Sequence, residues 1–251
     1  MKPYILVALP CYNEAENLPP LMENFDKLNA LHGNSFETRV VIINDCSKDD
    51  TDEVVKNLKC NTKFEYVKHE VNKGLTGGIN TALNLFNSAC NSETPPFACG
   101  LMDGDNSHHP INFERMMPRI AEGYDIVVAS RYRPGSRIEG VAWWRQILSA
   151  GLGLLFKLLR NIPGVKDYSC GYRLYSPNII KKVVSKYGQE VVLEKSFASM
   201  VEILVKCHNE GAICTEVPFL LRYDLKLGES KMPFKKTIIG NLKLLSAVRK
   251  S

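Results

Sequence analysis

The amino-acid sequence predicts an α/β chain with a mostly parallel central sheet flanked by helices. Three observations lead there. Apolar runs of strand length alternate with segments of helical period through the first half of the chain. Polar residues follow four separate apolar runs directly, where open parallel sheets place their ligands. With 251 residues, 45% apolar and 24% charged, the chain is long enough for one sizeable α/β core.

Taken in order, Tyr4–Leu9 reads as the first strand. Residues 14–31 read as a helix whose first turn must absorb Pro19-Pro20, since proline is tolerated only there. Residues 39–43 form the second strand, and residues 49–58 a helix with Ser47 as candidate cap. Phe64–Val67 is a short third strand. The helix over 75–89 opens on Gly77-Gly78, glycines that suit a tight turn and close helix packing. Residues 97–102 are the fourth strand, 111–121 a helix and 126–129 the fifth strand. The second half is less regular, with strands over 171–175 and 213–221 and a helix over 196–207.

The net charge is +5, concentrated at one end: residues 226–251 carry seven Lys or Arg against one Glu, leaving the rest near neutral. A basic tail on a neutral body points to an anionic partner, such as a membrane surface. The eight cysteines show no zinc spacing and mostly sit in apolar stretches, as expected in a reducing compartment. The chain opens directly into a strand, with no signal-peptide pattern, and no window reaches transmembrane length.

The chemistry concentrates in Leu101-Met102-Asp103-Gly104-Asp105-Asn106-Ser107-His108-His109-Pro110. Two aspartates one residue apart repel unless a cation sits with them. At the end of a buried strand, a hard divalent ion carrying phosphate oxygens is the partner that fits. Asp45 ends the second strand and is placed to meet a base or ribose. Tyr12 and Glu14 follow the first strand and suit stacking and hydrogen bonding to a base. Asn13 suits a helix cap, and Asp49, Asp50 and Asp52 suit helix N-terminal charges. His108 and His109 lack zinc spacing and read as supporting or capping residues. Arg131, Arg145, Arg173, Arg222 and Lys231 are the scattered donors from which phosphate contacts would come.

These pieces resemble the inverting family 2 glycosyltransferases of the GT-A (Rossmann-like) nucleotide-sugar fold, above all the dolichyl- and polyprenyl-phosphate mannose or glucose synthases. The resemblance rests on residues 9–18, 44–51, 102–110, 129–132, 169–173, 216–218 and 228–231, in order along nearly the whole chain. It implies a glycosyltransferase domain over 1–226, with a nucleotide-sugar half to about 131, an acceptor half over 132–226, and a basic amphipathic segment over 227–251. It implies that Pro10, Tyr12, Glu14, Ile43 and Asp45 form the base and ribose pocket. Asp103, Gly104 and Asp105 would hold nucleotide and Mg2+ or Mn2+, with Ser107 completing the metal shell. Arg131 and Lys231 would meet phosphates and, with Asp105, carry catalysis; Arg145 and Arg222 would face the acceptor phosphate. Asn44 and Leu225 depart from the family pattern, which has an acid and an Arg there; Arg222 or Lys226 would substitute for that Arg.

The expected reaction moves a sugar, GDP-mannose being the favoured donor, to a polyprenyl or dolichyl phosphate. The expected place is the cytoplasmic face of a membrane, bound peripherally, with a membrane-anchored partner protein as a further expectation and nucleic acid excluded. Trp143-Trp144 with the apolar residues to Leu159, and the stretch 234–250, suit the plane of a membrane interface. The alternative is UDP-glucose or another nucleotide sugar serving a polysaccharide, glycoprotein or small acceptor. That would need a catalytic base, for which Asp167, Glu194 and Glu202 are the weak candidates. A nucleotidyltransferase and a non-catalytic binding module are the remaining readings.

Overall fold

A computed structural model describes residues 2–194 and 198–227. Strand β1 (Tyr4–Cys11) is followed by helix α1 (Leu18–His32), β2 (Glu37–Asn44), α2 (Thr51–Lys56), β3 (Phe64–Lys68), α3 (Gly74–Cys90) and β4 (Ala98–Leu101). Then come a short 3-10 turn, α4 (Phe113–Ala121), β5 (Ile126–Ser130), β6 (Arg137–Glu139), α5 (Trp143–Leu159) and β7 (Arg173–Tyr175). Helices α6 (Pro177–Tyr187) and α7 (Ala198–Asn209) precede β8 (Cys214–Pro218) and β9 (Leu220–Arg222).

Seven strands form one sheet in the order β3-β2-β1-β4-β7-β5-β8. All run parallel except β7, which is antiparallel to both β4 and β5. The carboxyl ends of β1, β2, β3, β4, β5 and β8 therefore share one rim, and the start of β7 joins them. Both faces of the central strands are covered, so β1, β4 and β5 read as continuous apolar runs rather than alternating ones. A separate two-stranded parallel ribbon joins β6 to β9.

Several boundaries differ from the sequence expectation, each for a local reason. Helix α1 starts at Leu18 rather than residue 14. Asn13 adopts a positive φ of 56° and Glu14–Asn17 form a turn closed by Asn17 N and Leu18 N donating to the Glu14 carbonyl. Pro19-Pro20 do occupy the first turn. Ser47 caps nothing, because its hydroxyl accepts from Asn13 N at 2.8 Å; α2 starts at Thr51 behind Asp50. The expected strand over 213–221 breaks in two at Phe219, whose ring is buried. Helix α6 was not anticipated, although Ser176 and Pro177 mark its start: the Ser176 hydroxyl accepts from Ile179 N.

Gly77 and Gly78 lie within α3 rather than in a tight turn, and the expected close packing is seen at Gly78. A Cβ on Gly78 would lie 2.9 Å from the Pro10 Cβ, so α3 can approach the end of β1 only with glycine there. Among the described residues, no helix is long and apolar enough to cross a membrane.

Candidate active site

Of the polar residues singled out in the sequence, Tyr12 and Glu14 follow β1, Asp45 follows β2, Asp103 and Asp105 follow β4 and Arg131 follows β5, all on the common rim. Pro10 pairs in register with Ile43, and Asp45 N donates to the Cys11 carbonyl, so the ends of β1 and β2 form one floor. Ile43 is fully buried within it. Asn13, far from capping a helix, stitches the two loops together: its side-chain oxygen accepts from Lys48 N at 2.7 Å.

Asp45 is heavily engaged. Its Oδ1 meets His69 Nδ1 at 2.7 Å and accepts from Lys73 N, while Oδ2 accepts from Gly74 N at 2.8 Å. His69 Nε2 continues to Thr81 at 2.9 Å. One carboxylate thus anchors the loop after β2, the residue after β3 and the start of α3. Sequence reasoning overlooked His69, though its place just beyond β3 is the signal that picked out the other rim residues. Asn44, at the position where the family has an acid, donates to Tyr66, which donates to Asp52 at 2.6 Å. Burial and Asp52 push the Tyr66 phenol up to about 12.

The acid loop lies beside this floor. Met102 N donates to Ala8 O, which carries the β4 register past the strand end. A Cβ on Gly104 would lie 2.3 Å from Cys11 Sγ, so the turn between the acids fits against β1 only as glycine. Asp105 is 11% exposed; its Oδ1 accepts from Ser107 N and Oγ, and Oδ2 meets Lys226 Nζ at 2.6 Å. Burial works to raise the Asp105 carboxyl, but Lys226, His108 and Ser107 hold it below the ordinary range. The Asp103 side chain keeps 43% of its exposure. Surrounding protein still raises its carboxyl by desolvation, with Asp105 adding to the rise and His108 opposing it. His108 stacks on Tyr172 and stands 3.9 Å from Asp103 Oδ2; it supports the loop. His109 accepts from Ile111 N and caps the 3-10 turn.

The donor set suits a hard cation. Among the described residues no three His, Cys, Asp or Glu gather into a metal cage. A magnesium-type ion shared with phosphates needs only one or two carboxylates. Asp105 already binds a cation, the Lys226 ammonium, with Ser107 beside it. The strap that delivers Lys226 is held on both sides. Arg222 N donates to Ser107 O, and the Asn17 amide both accepts from Leu227 N and donates to Leu227 O. Asn17 also donates to Glu14 Oε2, so Glu14, Asn17 and the strap form one unit.

Arg131 Nε and Nη2 grip Asp167 at 2.8 and 2.7 Å, and Nη2 also reaches Ser169. Burial disfavours both charges, yet each stabilises the other: Asp167 is held low and Arg131 high. Arg222 is committed to Asp224 and Glu139. Arg173 is fully buried and donates to the Met200 and Tyr168 carbonyls, which removes it from the phosphate donors. Arg145 lies in α5, but its side chain falls outside the described residues, as do Lys231 and the stretch 234–250.

Three comparisons bear on this arrangement. The family model for Glycosyl transferase family 2 matches residues 6–184. The polyprenol monophosphomannose synthase of Mycolicibacterium smegmatis is 26% identical over 237 residues, 90% of this chain and 80% of that protein. The dolichol-phosphate mannosyltransferase of Pyrococcus furiosus is 28% identical over 233 residues, 92% of this chain but 60% of that longer protein. Among solved structures, the glucosyl-3-phosphoglycerate synthase of Mycobacterium tuberculosis superposes with a TM-score of 0.65. Its sequence identity is 15%, and the match covers 98% of this chain and 78% of that one.

Proposed function

This chain belongs to glycosyl transferase family 2, and from that premise we propose that it transfers a hexose from a nucleoside-diphosphate sugar to a polyprenyl or dolichyl phosphate. GDP-mannose is the favoured donor, and the two curated relatives support both the sugar and the lipid acceptor. The observation that carries the reading is the acid loop: a buried Asp105 that already holds a cation, beside an open Asp103, at the end of β4. The solved relative contains Mn2+ and UDP, which supports a divalent ion, Mg2+ or Mn2+, here. Asp105, Asp103 and Ser107 would hold it. Such an ion neutralises charge on a departing diphosphate.

The chain's own residues do the rest. Pro10, Tyr12, Glu14, Ile43 and Asp45 shape and line the base and ribose pocket, and Gly104, packed on Cys11, sets the turn in which Asp103 and Asp105 would meet the nucleotide. Arg131 has Nε and Nη2 committed to Asp167, so its phosphate contact falls to Nη1. Lys231 is the second phosphate donor, and Arg145 faces the acceptor phosphate. Arg222, tied to two carboxylates, would have to exchange partners to join it. Residues to about 131 would serve the donor and residues 132–226 the acceptor.

A lipid phosphate supplies its own nucleophile. Its second pKa lies near ~6, so it is an anion at neutral pH and needs no strong general base. The surroundings of two candidate bases support this. Asp167 is clasped by Arg131 and by the backbone N–H of Arg131 and Cys170. Glu202 accepts from Leu193 N, Glu194 N and Lys206. An acceptor hydroxyl would find both already occupied. Catalysis then rests on positioning and on stabilising the leaving charge.

The basic segment 227–251 and the apolar side of α5 support action at a membrane surface, on the cytoplasmic face. A panel of nucleotide sugars with Mg2+ or Mn2+ and a short polyprenyl phosphate tests the reading. Metal-dependent release of GDP with a glycolipid product is expected. Pyrophosphate release, or transfer only to free sugars, would replace it with the other readings.

A further inference from the structure

We propose that Lys226 is an exchange cation: it neutralises Asp105 while no nucleotide is present, yields that carboxylate to the divalent ion, and carries its ammonium over to the arriving diphosphate. The proposal rests on the metal–diphosphate reading of the acid loop and adds a residue that the reading did not use.

Geometry favours the exchange. Lys226 Nζ lies 2.6 Å from Asp105 Oδ2, with both side chains 11% exposed. The other oxygen of Asp105 is held by Ser107. A divalent ion at Asp105 would stand against the ammonium on the same carboxylate, and two cations that close repel strongly in a site this buried. Among the described residues, Asp105 is the one carboxylate at ion-pair distance from Lys226. An ammonium displaced from it and left buried without an anion would be costly. The diphosphate is the anion that arrives with the metal.

The surroundings make the movement feasible. Arg222 N on Ser107 O and Leu227 on the Asn17 amide fix the backbone on both sides of Lys226. The exchange is therefore confined to a flexible four-carbon stem bearing a compact charge with three donors. The neighbouring guanidiniums are less free to do it, since Arg131 is tied to Asp167 and Arg222 to Asp224 and Glu139.

The consequence is a coupling of ligands. Metal alone repels Lys226 without offering it a new anion; metal with a diphosphate supplies one. Lys226 thus weakens the binding of metal alone and strengthens that of the metal–nucleotide pair. Isothermal titration of Lys226→Met with Mn2+ alone and with Mn2+·GDP or Mn2+·UDP reads both effects. Mn2+ alone should bind about tenfold tighter than to the unaltered protein, and Mn2+·nucleotide about tenfold weaker, within the usual range of coupling between sites. Lys226→Arg, which keeps the charge, should restore nucleotide affinity. A lysine that merely braced the strap would shift both affinities the same way or neither, and that result overturns the proposal. Should Lys226→Met fail to fold, Lys226→Gln carries the same pair of titrations. If the unaltered protein binds no Mn2+·nucleotide, the metal–diphosphate reading itself falls. If it binds and the variants change neither affinity, only the exchange falls.

Discussion

Asp103 and Asp105 stand two residues apart and live in different surroundings. Asp105 is buried, bonded on both oxygens and held ionised by Lys226, while Asp103 is open to solvent with a raised pKa. Loss of Asp105 removes the fixed point of the cation. Asp105→Ala should cut metal-dependent turnover at least about 100-fold, the scale of several kcal/mol of leaving-charge stabilisation. Steady-state rates across a Mn2+ series check it; near-normal turnover would misplace the metal. A second residue-scale prediction concerns Asp167, whose side chain has 0% exposure. Burial pushes its carboxyl up and Arg131 brings it below the ordinary value of 3.8. On acidification the unfolded chain takes up the proton first. The stability from this pair is therefore complete above the ordinary aspartate range and disappears as pH falls through the lower folded-state value. Asp167→Asn, which leaves the Arg131 charge without its partner, should cost about 3–5 kcal/mol at neutral pH. It should also flatten the acid limb of stability, as followed by urea unfolding at several pH values. At this scale the sequence revealed which residues matter better than what they touch. Asp45, Asp103 and Asp105 were visible because each interrupts an apolar run. The Asp105 contact of Lys226 and the strap contact of Asn17 were not, because the partners lie 121 and 210 residues away.

At the scale of elements, the rim is held by close approaches that only small residues permit. Gly104→Ala would put a methyl into Cys11 Sγ. It should destabilise the fold by about 1–3 kcal/mol, as overpacked cores do, and weaken nucleotide binding. Adding Cys11→Ala to Gly104→Ala should recover most of the stability in thermal unfolding, since it removes the struck atom. Helix α3 clamps a distant segment: the Asn80 amide accepts from Val192 N and donates to Val192 O, and Asn84 donates to Gln189 O. Asn80→Ala should cost about 1–3 kcal/mol by leaving those groups unpaired, with amide exchange rising over 189–194 rather than throughout the protein. Element order in the first half was legible because a buried parallel strand is a continuous apolar run and each helix keeps its own period. The second half was harder. β6 spans three residues, too short for a period to show, and β7, though expected as a strand, runs against its neighbours, which no local pattern announces.

At the scale of the molecule, one mixed sheet gathers every strand end but that of β7 onto a single rim, and α5 lies beyond it with an apolar side turned outward. Trp143 is 73% exposed, and Ile147 and Leu158 on the same side of the helix are exposed as well. No covering element among the described residues accounts for this stripe, and the proposed membrane surface does. Trp143→Ala with Leu158→Ala should lower co-sedimentation with anionic vesicles about tenfold or more, on the scale of burying two large apolar groups. Circular dichroism should be unchanged, because neither side chain is in the core. Unaltered vesicle binding would remove α5 from the membrane account. The central claim is tested most directly by anomalous diffraction from crystals grown with Mn2+ and GDP. The account predicts a manganese peak against the carboxylates of Asp105 and Asp103, a diphosphate bridging it, and the Lys226 ammonium moved off Asp105. A diphosphate bound with no manganese there, or manganese held elsewhere while Lys226 keeps its carboxylate, would contradict it.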